Sequence, residues 1–220
     1  MIDTSKRMQK PALIIFDWDD TLVDNYAAIH TAINAARAHF GQPIWDLAET
    51  RLQCRRALHE IFPEWFGADW PIAKKIFYDS FAAEHIACLR VKPGAQQLLD
   101  EIFRSRTPMA VNSNKNKDYL RQEISHLNWG HYFSVLVGAG DVQRGKPDPE
   151  GINHIRQVLH IPSQTQPWFV GDNDIDAQTA RSGGCLPILL HQKPIANVDQ
   201  ANKVLLGNCM DLLELFKSVA

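Results

Sequence analysis

Apolar residues occur along the chain as short runs, separated by segments in which apolar positions recur at helical spacing. The first run covers residues 12–16 after Pro11, and its β-branched residues indicate a buried strand of a parallel sheet. Comparable runs recur in the second half of the chain, each next to a segment long enough for one helix. These runs cover residues 108–113, 133–138, 168–172, 186–190 and 203–206.

The segment between residues 25 and 90 has a different pattern, which predicts helices only. Apolar positions at helical spacing run from residue 26 to 40 and stop at Gly41, a favourable residue after a helix end. Asp46 and Glu49 have the spacing of a capping box and predict a second helix through about residue 62. A third helix, from Asp69 to about residue 89, completes what we call the helical insert, residues 25–90.

From residue 93 onward, helices are predicted over 94–105 and 117–127, from Asp148 onward, up to residue 182, and over 211–219. Strands that alternate with helices of this length predict an α/β fold with a doubly wound parallel sheet. The smaller all-helical domain would be inserted after the first strand. We expect a core domain of residues 1–24 and 91–220 and an inserted domain of residues 25–90.

Composition excludes several classes of partner. The chain has 220 residues with a formal net charge of -2, so we expect neither a nucleic acid nor a membrane surface as partner. Four cysteines without a CxxC pair favour isolated reduced thiols over a disulfide or zinc site. The N-terminus shows no signal-peptide pattern, and no apolar run approaches membrane-spanning length. We therefore expect a soluble, cytoplasmic protein, either a monomer or a homodimer.

Polar residues follow four of the predicted strands where plain loops would be expected. Asp17, Asp19 and Thr21 follow the first strand. Because the carboxyl ends of parallel strands meet at one edge, residues distant in sequence can share a site there. Clustered carboxylates, a hydroxyl and a lysine beside helix-starting amides are what magnesium-dependent phosphoryl transfer requires. The other three polar segments are residues 112–115, 145–148 and 171–176.

The order of these segments resembles the haloacid dehalogenase superfamily, in the branch of phosphoglycolate phosphatases and β-phosphoglucomutases. The resemblance spans about residues 11–220, and the helical insert lies where that family places a helical cap. It implies a substrate that is a small phosphorylated molecule. The matching motifs are Asp17-Trp18-Asp19-Asp20-Thr21, Ser113-Asn114-Lys115, Lys146-Pro147, and Gly171-Asp172 with Asp176.

The resemblance implies a role for each carboxylate. Asp17 would attack phosphorus and form an aspartyl-phosphate, and Asp19 would protonate the leaving oxygen and later activate water. The implied cofactor is Mg²⁺, held by the carboxylates of Asp17 and Asp172 and the main-chain carbonyl of Asp19. Asp176 would contact the metal ligands rather than the metal itself and hold them in position.

The resemblance also implies a phosphate-binding set, which comprises Thr21, Ser113, Asn114 and Lys146. These groups would offset the repulsion between an anionic nucleophile and a phosphate dianion, which is about 4 kcal/mol for two unit charges 4 Å apart at an effective dielectric near 20. The acid at Asp19 favours phosphate esters over dehalogenation, because relatives with the latter chemistry resemble the pattern without an acid there.

Two features of the sequence leave alternatives open. Asp20 replaces the glycine usual in the family, and its carboxylate could either tighten metal binding or point into solvent. Arg55 and Arg56 lie in the helical insert, where relatives present substrate-contacting residues, and we hypothesise that one of them binds an anionic leaving group. Charged residues on a helix more often form a solvated face.

Competing functions share parts of this pattern. A sugar-phosphate phosphomutase would use the same groups and differ in the lifetime of the aspartyl-phosphate, which the sequence does not reveal. A receiver-type phospho-acceptor is disfavoured, because here the lysine precedes the last acidic motif and a large insert interrupts the chain. A catalytically inactive binding module is disfavoured as well, because no expected catalytic group is missing.

Overall fold

The computed structural model describes residues 9–54, 58–190 and 203–219, in which strands and helices alternate outside one helical stretch. The strands are β1 (Ile14–Phe16), β2 (Val23–Asp24), β3 (Arg90–Val91), β4 (Met109–Asn116), β5 (Val135–Ala139), β6 (Trp168–Gly171), β7 (Leu186–Leu190) and β8 (Val204–Leu206). The helices are α1 (Tyr26–His39), α2 (Leu47–Gln53), α3 (Leu58–Phe66), α4 (Trp70–Cys88), α5 (Ala95–Arg104), α6 (Lys117–His126), α7 (Glu150–Val158), α8 (Asp174–Ser182) and α9 (Cys209–Ser218).

Strand β1 lies in the middle of a parallel six-stranded sheet, as its uninterrupted apolar sequence predicts. The order of the strands is β5-β4-β1-β6-β7-β8, and β1 pairs with β4 through Ile14 and Met109 and with β6 through Ile14 and Trp168. A strand with parallel neighbours on both sides and helices on both faces has no solvated side, which explains why every residue of β1 is buried. The predicted α/β fold class is confirmed.

The alternation of side chains along β1 divides the interior of the sheet domain into two layers. Ile14 and Phe16 face one layer, which they share with residues of α5, α6 and α9. Leu13 and Ile15 face the opposite layer, which is completed by α7 and α8. Both layers hold β1 rigidly, so the residue that follows it at the sheet edge, Asp17, has a fixed position.

The helical insert has a separate apolar core built largely from aromatic side chains, including Phe62, Phe66, Phe77 and Phe81. The predicted single helix from Asp46 to about residue 62 is corrected. Helix α2 ends at Gln53, residues 55–57 lie outside the described part of the chain, and α3 continues to Phe66. Helix α3 continues past residue 62 because Phe66 is buried in this core, which stabilises another helical turn.

A short antiparallel ribbon joins the helical insert to the sheet domain. Strand β2 enters the insert and β3 leaves it, with Val23 opposite Val91 and Asp24 opposite Arg90. The expected domain boundaries, after residues 24 and 90, fall within this ribbon, and the division into two domains stays a prediction. Among the described helices, none is long and apolar enough to cross a membrane.

Among the other boundaries that differ from the sequence prediction, two have a visible structural cause. Strand β4 extends beyond its apolar run to Asn116, because polar residues at its end still pair with β5. Helix α7 begins at Glu150 with Pro149 as its N-cap, one residue after the expected N-cap Asp148, whose side chain accepts a hydrogen bond from the Glu150 amide at 2.9 Å. A shift of one residue in a helix start is ordinary for this kind of capping.

Candidate active site

The carboxyl ends of β1, β4 and β6 converge on one cavity of about 100 Å³. It is lined by Asp17 and Asp19 after β1, Ser113 of β4, Asp172 after β6, and Lys146 from the loop between β5 and α7. Parallel strands bring these residues together because each strand ends at the same edge of the sheet. The structure thus places these five residues, together with Asn114, around one space, and all six were singled out from the sequence.

The Asp17 carboxylate lies at the bottom of this cavity and is almost completely buried. Burial raises the pKa of Asp17, and the neighbouring carboxylate of Asp176 raises it further, whereas Lys146 opposes both effects. The Nζ atom of Lys146 lies 2.7 Å from Oδ1 of Asp17. Lys146 is the cation that offsets the burial of this carboxylate, and a second cation would stabilise its charged form further.

Lys146 is held in place from both its side chain and its main chain. Its Nζ donates to Oδ1 of Asp176 at 2.7 Å. The amide of Asn114 accepts from the Lys146 main-chain N–H at 2.8 Å and donates to the Lys146 carbonyl at 3.0 Å. A Cβ at Gly145 would lie 2.6 Å from the Asn114 Oδ1 atom, so the loop requires glycine there. Both ends of the Asn114 amide therefore position Lys146, and its predicted contact with phosphate stays a prediction.

Three carboxylates, those of Asp17, Asp172 and Asp176, have oxygen atoms within 4.8 Å of one another. Burial raises the pKa of Asp172 well above its usual value, and repulsion from Asp176 and Asp17 adds to this effect. Asp176 already accepts hydrogen bonds from Lys146 and from the amides of Asp172 and Asn173, at 3.0 and 3.2 Å for the amides. Asp17 and Asp172 are therefore the carboxylates with oxygens free to bind an ion, supported by Asp176.

The Asp19 carboxylate does not join this triad, because it points to a lysine on the other side of the cavity. Nζ of Lys115 donates to both oxygens of Asp19, at 3.0 and 3.1 Å. Burial raises the pKa of Asp19 to about 6, while Lys115 lowers it and Glu123 raises it. A carboxyl group with such a pKa can carry a proton in one step of a reaction near neutral pH and accept one in the next. The predicted metal contact of the Asp19 carbonyl stays a prediction.

A fully buried glutamate behind Asp19 was missed by reasoning from the sequence. Glu123 accepts hydrogen bonds from Trp18 Nε1 and Asn25 Nδ2, both at 2.7 Å, and lies 3.0 Å from Lys115 Nζ and from His85 Nδ1. A signal was present, because Glu123 occupies a position on the apolar face of α6, where a charged residue requires partners. Its four partners come from three separate segments of the chain, so no local pattern could identify them.

Asp20, whose role the sequence left open, is paired with cations. It adopts a left-handed backbone with φ of 63°. Its carboxylate lies 2.7 Å from Nη1 of Arg51 in α2 and 2.8 Å from Nζ of Lys92 after β3. Arg51 also lies 2.7 Å from Oδ2 of Asp24. Asp20 thus connects the helical insert to the segment between β1 and β2, which carries Asp17 and Asp19, and neither of the two interpretations from the sequence describes it.

The remaining predicted residues are placed as follows. Ser113 is buried beside Asp17, and its hydroxyl accepts from the Lys115 amide at 3.3 Å. Thr21 is buried but lines a neighbouring cavity, and among the described residues its hydroxyl has no hydrogen-bond partner. Arg55 and Arg56 lie outside the described residues, so the hypothesis that they bind the leaving group is not tested.

The helical insert covers the cavity opposite the carboxylates. The described residues that it contributes are mostly apolar and come from α1, α3, α4 and the end of α2. A covered cavity of this kind excludes water and strengthens the electrostatic interactions inside it. These residues include Ile29, Leu58, Phe77, Tyr78 and Phe81.

Comparisons with known proteins identify the family. Residues 14–189 match the family model of haloacid dehalogenase-like hydrolases. A phosphoglycolate phosphatase of Rhodobacter capsulatus is 30% identical over 82% of this chain and 84% of its own length. One from Pseudomonas savastanoi pv. phaseolicola is 28% identical over 92% of this chain and 81% of its own.

Solved structures show the same fold. A HAD-superfamily hydrolase from Ehrlichia chaffeensis is 27% identical, with a TM-score of 0.69 over 96% of this chain and 98% of its own. A predicted phosphoglycolate phosphatase from Haemophilus somnus is 20% identical and has a TM-score of 0.84 over 94% of this chain and 99% of its own. The second of these supports the fold alone.

Proposed function

We propose that this chain, which belongs to the haloacid dehalogenase-like hydrolase family, hydrolyses a small phosphomonoester through an aspartyl-phosphate on Asp17. The observation that carries the proposal is the set of groups around the Asp17 carboxylate. Lys146, Asp172 and Asp176 lie next to it, and Asp19 lines the same cavity. A nucleophile, a cation site and a proton donor therefore share one space.

In the first step, a carboxylate oxygen of Asp17 attacks phosphorus as the bond from phosphorus to the ester oxygen breaks. Asp19 supplies the proton that the leaving oxygen requires. Lys146 and Ser113 bind the phosphoryl oxygens and offset their charge. The products of this step are an alcohol and an acyl phosphate on Asp17.

In the second step, Asp19 removes a proton from water, whose oxygen attacks phosphorus. The bond from phosphorus to the Asp17 oxygen breaks, which restores the carboxylate and releases inorganic phosphate. The same residue can serve as acid and then as base, because it gives up its proton in the first step. Burial raises the pKa of Asp19 to about 6, which suits both roles.

Mg²⁺ is the cofactor that fits the acidic triad. All three side chains offer carboxylate oxygens, the ligands that Mg²⁺ prefers, and their mutual repulsion is relieved by a cation. Asp17 and Asp172 would hold the ion, and Asp176 would fix Asp172 through its main-chain amide. When bound, Mg²⁺ supplies positive charge that lets an anionic nucleophile approach a phosphate.

The first candidate substrate is phosphoglycolate, because the similar curated proteins carry the name phosphoglycolate phosphatase. A carboxylate on the leaving group would require a cation near the helical insert. Arg55 and Arg56 remain our proposed candidates for that cation. Single alanine variants of both residues that keep full activity on the best substrate would exclude this part of the proposal.

Turnover of a panel of phosphomonoesters with Mg²⁺ tests the proposed function. We expect release of inorganic phosphate from at least one small ester, and loss of activity by about 10⁴-fold or more in Asp17→Asn, since this variant lacks the nucleophile. Absence of turnover on every ester, with Mg²⁺ bound to a folded protein, would refute it. A product in which phosphate has moved to another position of a sugar would instead identify a phosphomutase.

A further inference from the structure

We propose that Lys115 is a positioning residue that holds Asp19 in the orientation from which it donates a proton to the leaving group, and that Glu123 fixes Lys115 for this purpose. This inference deepens the proposed function and rests on it. The starting observation is that Lys115 Nζ contacts both Asp19 oxygens and Glu123 Oε1, all within 3.1 Å.

These contacts satisfy the side chain of Lys115 completely. An ammonium group has three N–H donors, and the two Asp19 oxygens and one Glu123 oxygen supply three acceptors. The side chain of Lys115 is 5% exposed and that of Glu123 is 0% exposed, so neither charge is hydrated. Because a buried charge without a partner is strongly unfavourable, Lys115 cannot readily turn away from these two carboxylates.

Contact with both oxygens fixes the plane of the Asp19 carboxyl group. A carboxylate held through one oxygen can still rotate, whereas one held through both keeps its direction relative to the Asp17 carboxylate. The unused lone pairs of the Asp19 oxygens remain available for the proton that is transferred. A carboxyl group that is already oriented in this way loses less conformational entropy when it transfers the proton.

Glu123 is in turn held by groups that do not reach the cavity with Asp17. Trp18 and Asn25 donate to it from the two ends of the segment that carries Asp19, and His85 contacts it from α4. The Glu123 carboxylate therefore connects the segment that carries Asp19 with helix α4 of the helical insert. Helix α4 thus reaches Lys115 in two ways, through the Glu123 carboxylate and through the Phe81 ring, whose centroid lies 5.0 Å from Lys115 Nζ.

The test compares esters that differ in their need for a proton donor. An alkoxide leaving group requires protonation, whereas p-nitrophenolate leaves as a stable anion. The value of kcat/KM reports the reaction through transfer to Asp17, so it isolates the acid step from the later role of Asp19 as a base. We expect Lys115→Met to lower kcat/KM for an alkyl phosphate by about 30- to 100-fold, and for p-nitrophenyl phosphate by about threefold or less.

Matched variants separate this role from a general defect. Lys117→Met is the control, because Lys117 is two residues away and 40% exposed, and it pairs with Asp141 outside the cavity. Glu123→Gln should lower kcat/KM less than Lys115→Met does, and again more for the alkyl phosphate than for p-nitrophenyl phosphate. If Lys115→Met does not fold, Glu123→Gln still tests the inference. In the Asp19→Asn background, Lys115→Met should have almost no further effect on the alkyl ester.

Three results would overturn the inference while leaving the proposed function intact. The first is an equal loss on both kinds of ester in Lys115→Met and in Glu123→Gln. The second is a full additional loss in the Asp19→Asn background, which would mean that Lys115 binds substrate itself. The third is an increase in KM alone that occurs for phosphoglycolate and does not occur for an alkyl phosphate without a carboxylate. If the wild-type enzyme hydrolyses no ester, the proposed function fails instead.

Discussion

Replacing Asp20 with glycine, alanine and asparagine separates two opposing contributions of this residue to stability. The backbone of Asp20 is left-handed, with φ of 63°, a conformation that costs an ordinary L-residue about 1–2 kcal/mol. Its carboxylate pairs with Arg51 at 2.7 Å and Lys92 at 2.8 Å. Glycine removes both the strain and the ion pairs, whereas alanine removes the pairs alone.

The exposure of the paired side chains sets the magnitude of the electrostatic contribution. Asp20 is 23% exposed, and its partners Arg51 and Lys92 are 31% and 32% exposed. Partly exposed pairs of this kind contribute about 0.2–1 kcal/mol each. We therefore expect Asp20→Gly to lie within about 1 kcal/mol of the wild type, and Asp20→Ala to be about 1–2 kcal/mol less stable than Asp20→Gly.

Urea denaturation of the metal-free proteins, followed by tryptophan fluorescence, gives these differences from the transition midpoints at constant slope. Asp20→Asn serves as the control, because asparagine tolerates the left-handed region and removes only the charge, so it should lose about 1 kcal/mol. Equal stability of the glycine and alanine variants would refute the argument from backbone strain. A loss of more than about 3 kcal/mol in the asparagine variant would show that the ion pairs are far stronger than their exposure suggests.

Three further predictions concern the cavity. Gly171→Ala should unfold at a lower urea concentration and bind Mg²⁺ more weakly in a titration, because its Cβ would collide with the Asp176 side chain. Asn114→Ala should stay folded by circular dichroism but lose about 10- to 100-fold in kcat/KM, because Lys146 would lose two main-chain contacts. The folded-state pKa of Asp19, about 6, lies above its usual value of 3.8, so the folded state binds more protons between these values. The metal-free protein should therefore lose stability from about pH 4 to 6, as measured by thermal unfolding, and added Mg²⁺ should restore more stability at pH 7 than at pH 5.

The positions of the six strands of the parallel sheet could be predicted because burial leaves a direct mark in the sequence, whereas the two-residue strands β2 and β3 were not predicted. The run before Asp17 is apolar without interruption, and it became the central strand of the sheet. The helical insert was predicted for a related reason, since its apolar positions recur only at helical spacing. The prediction of one helix from Asp46 to about residue 62 was wrong, because local pattern does not show which residues pack into a shared core.

Six polar residues of the cavity could be predicted as well, since strand ends of a parallel sheet must meet at one edge. The contacts within it could not. The sequence motif contains Lys115 beside Ser113 and Asn114, yet nothing local indicates that its ammonium group would turn toward Asp19. That contact spans 96 residues of the chain.

The sequence by itself determined the fold class, the order of the elements and the set of residues available for chemistry. Only the tertiary structure decided how those residues pair. It joined Glu123 to Trp18 across 105 residues and Asp20 to Arg51 across 31. The physical reason is that periodicity indicates which side of an element is buried. The partner of a buried charged group depends instead on which other elements pack against that side.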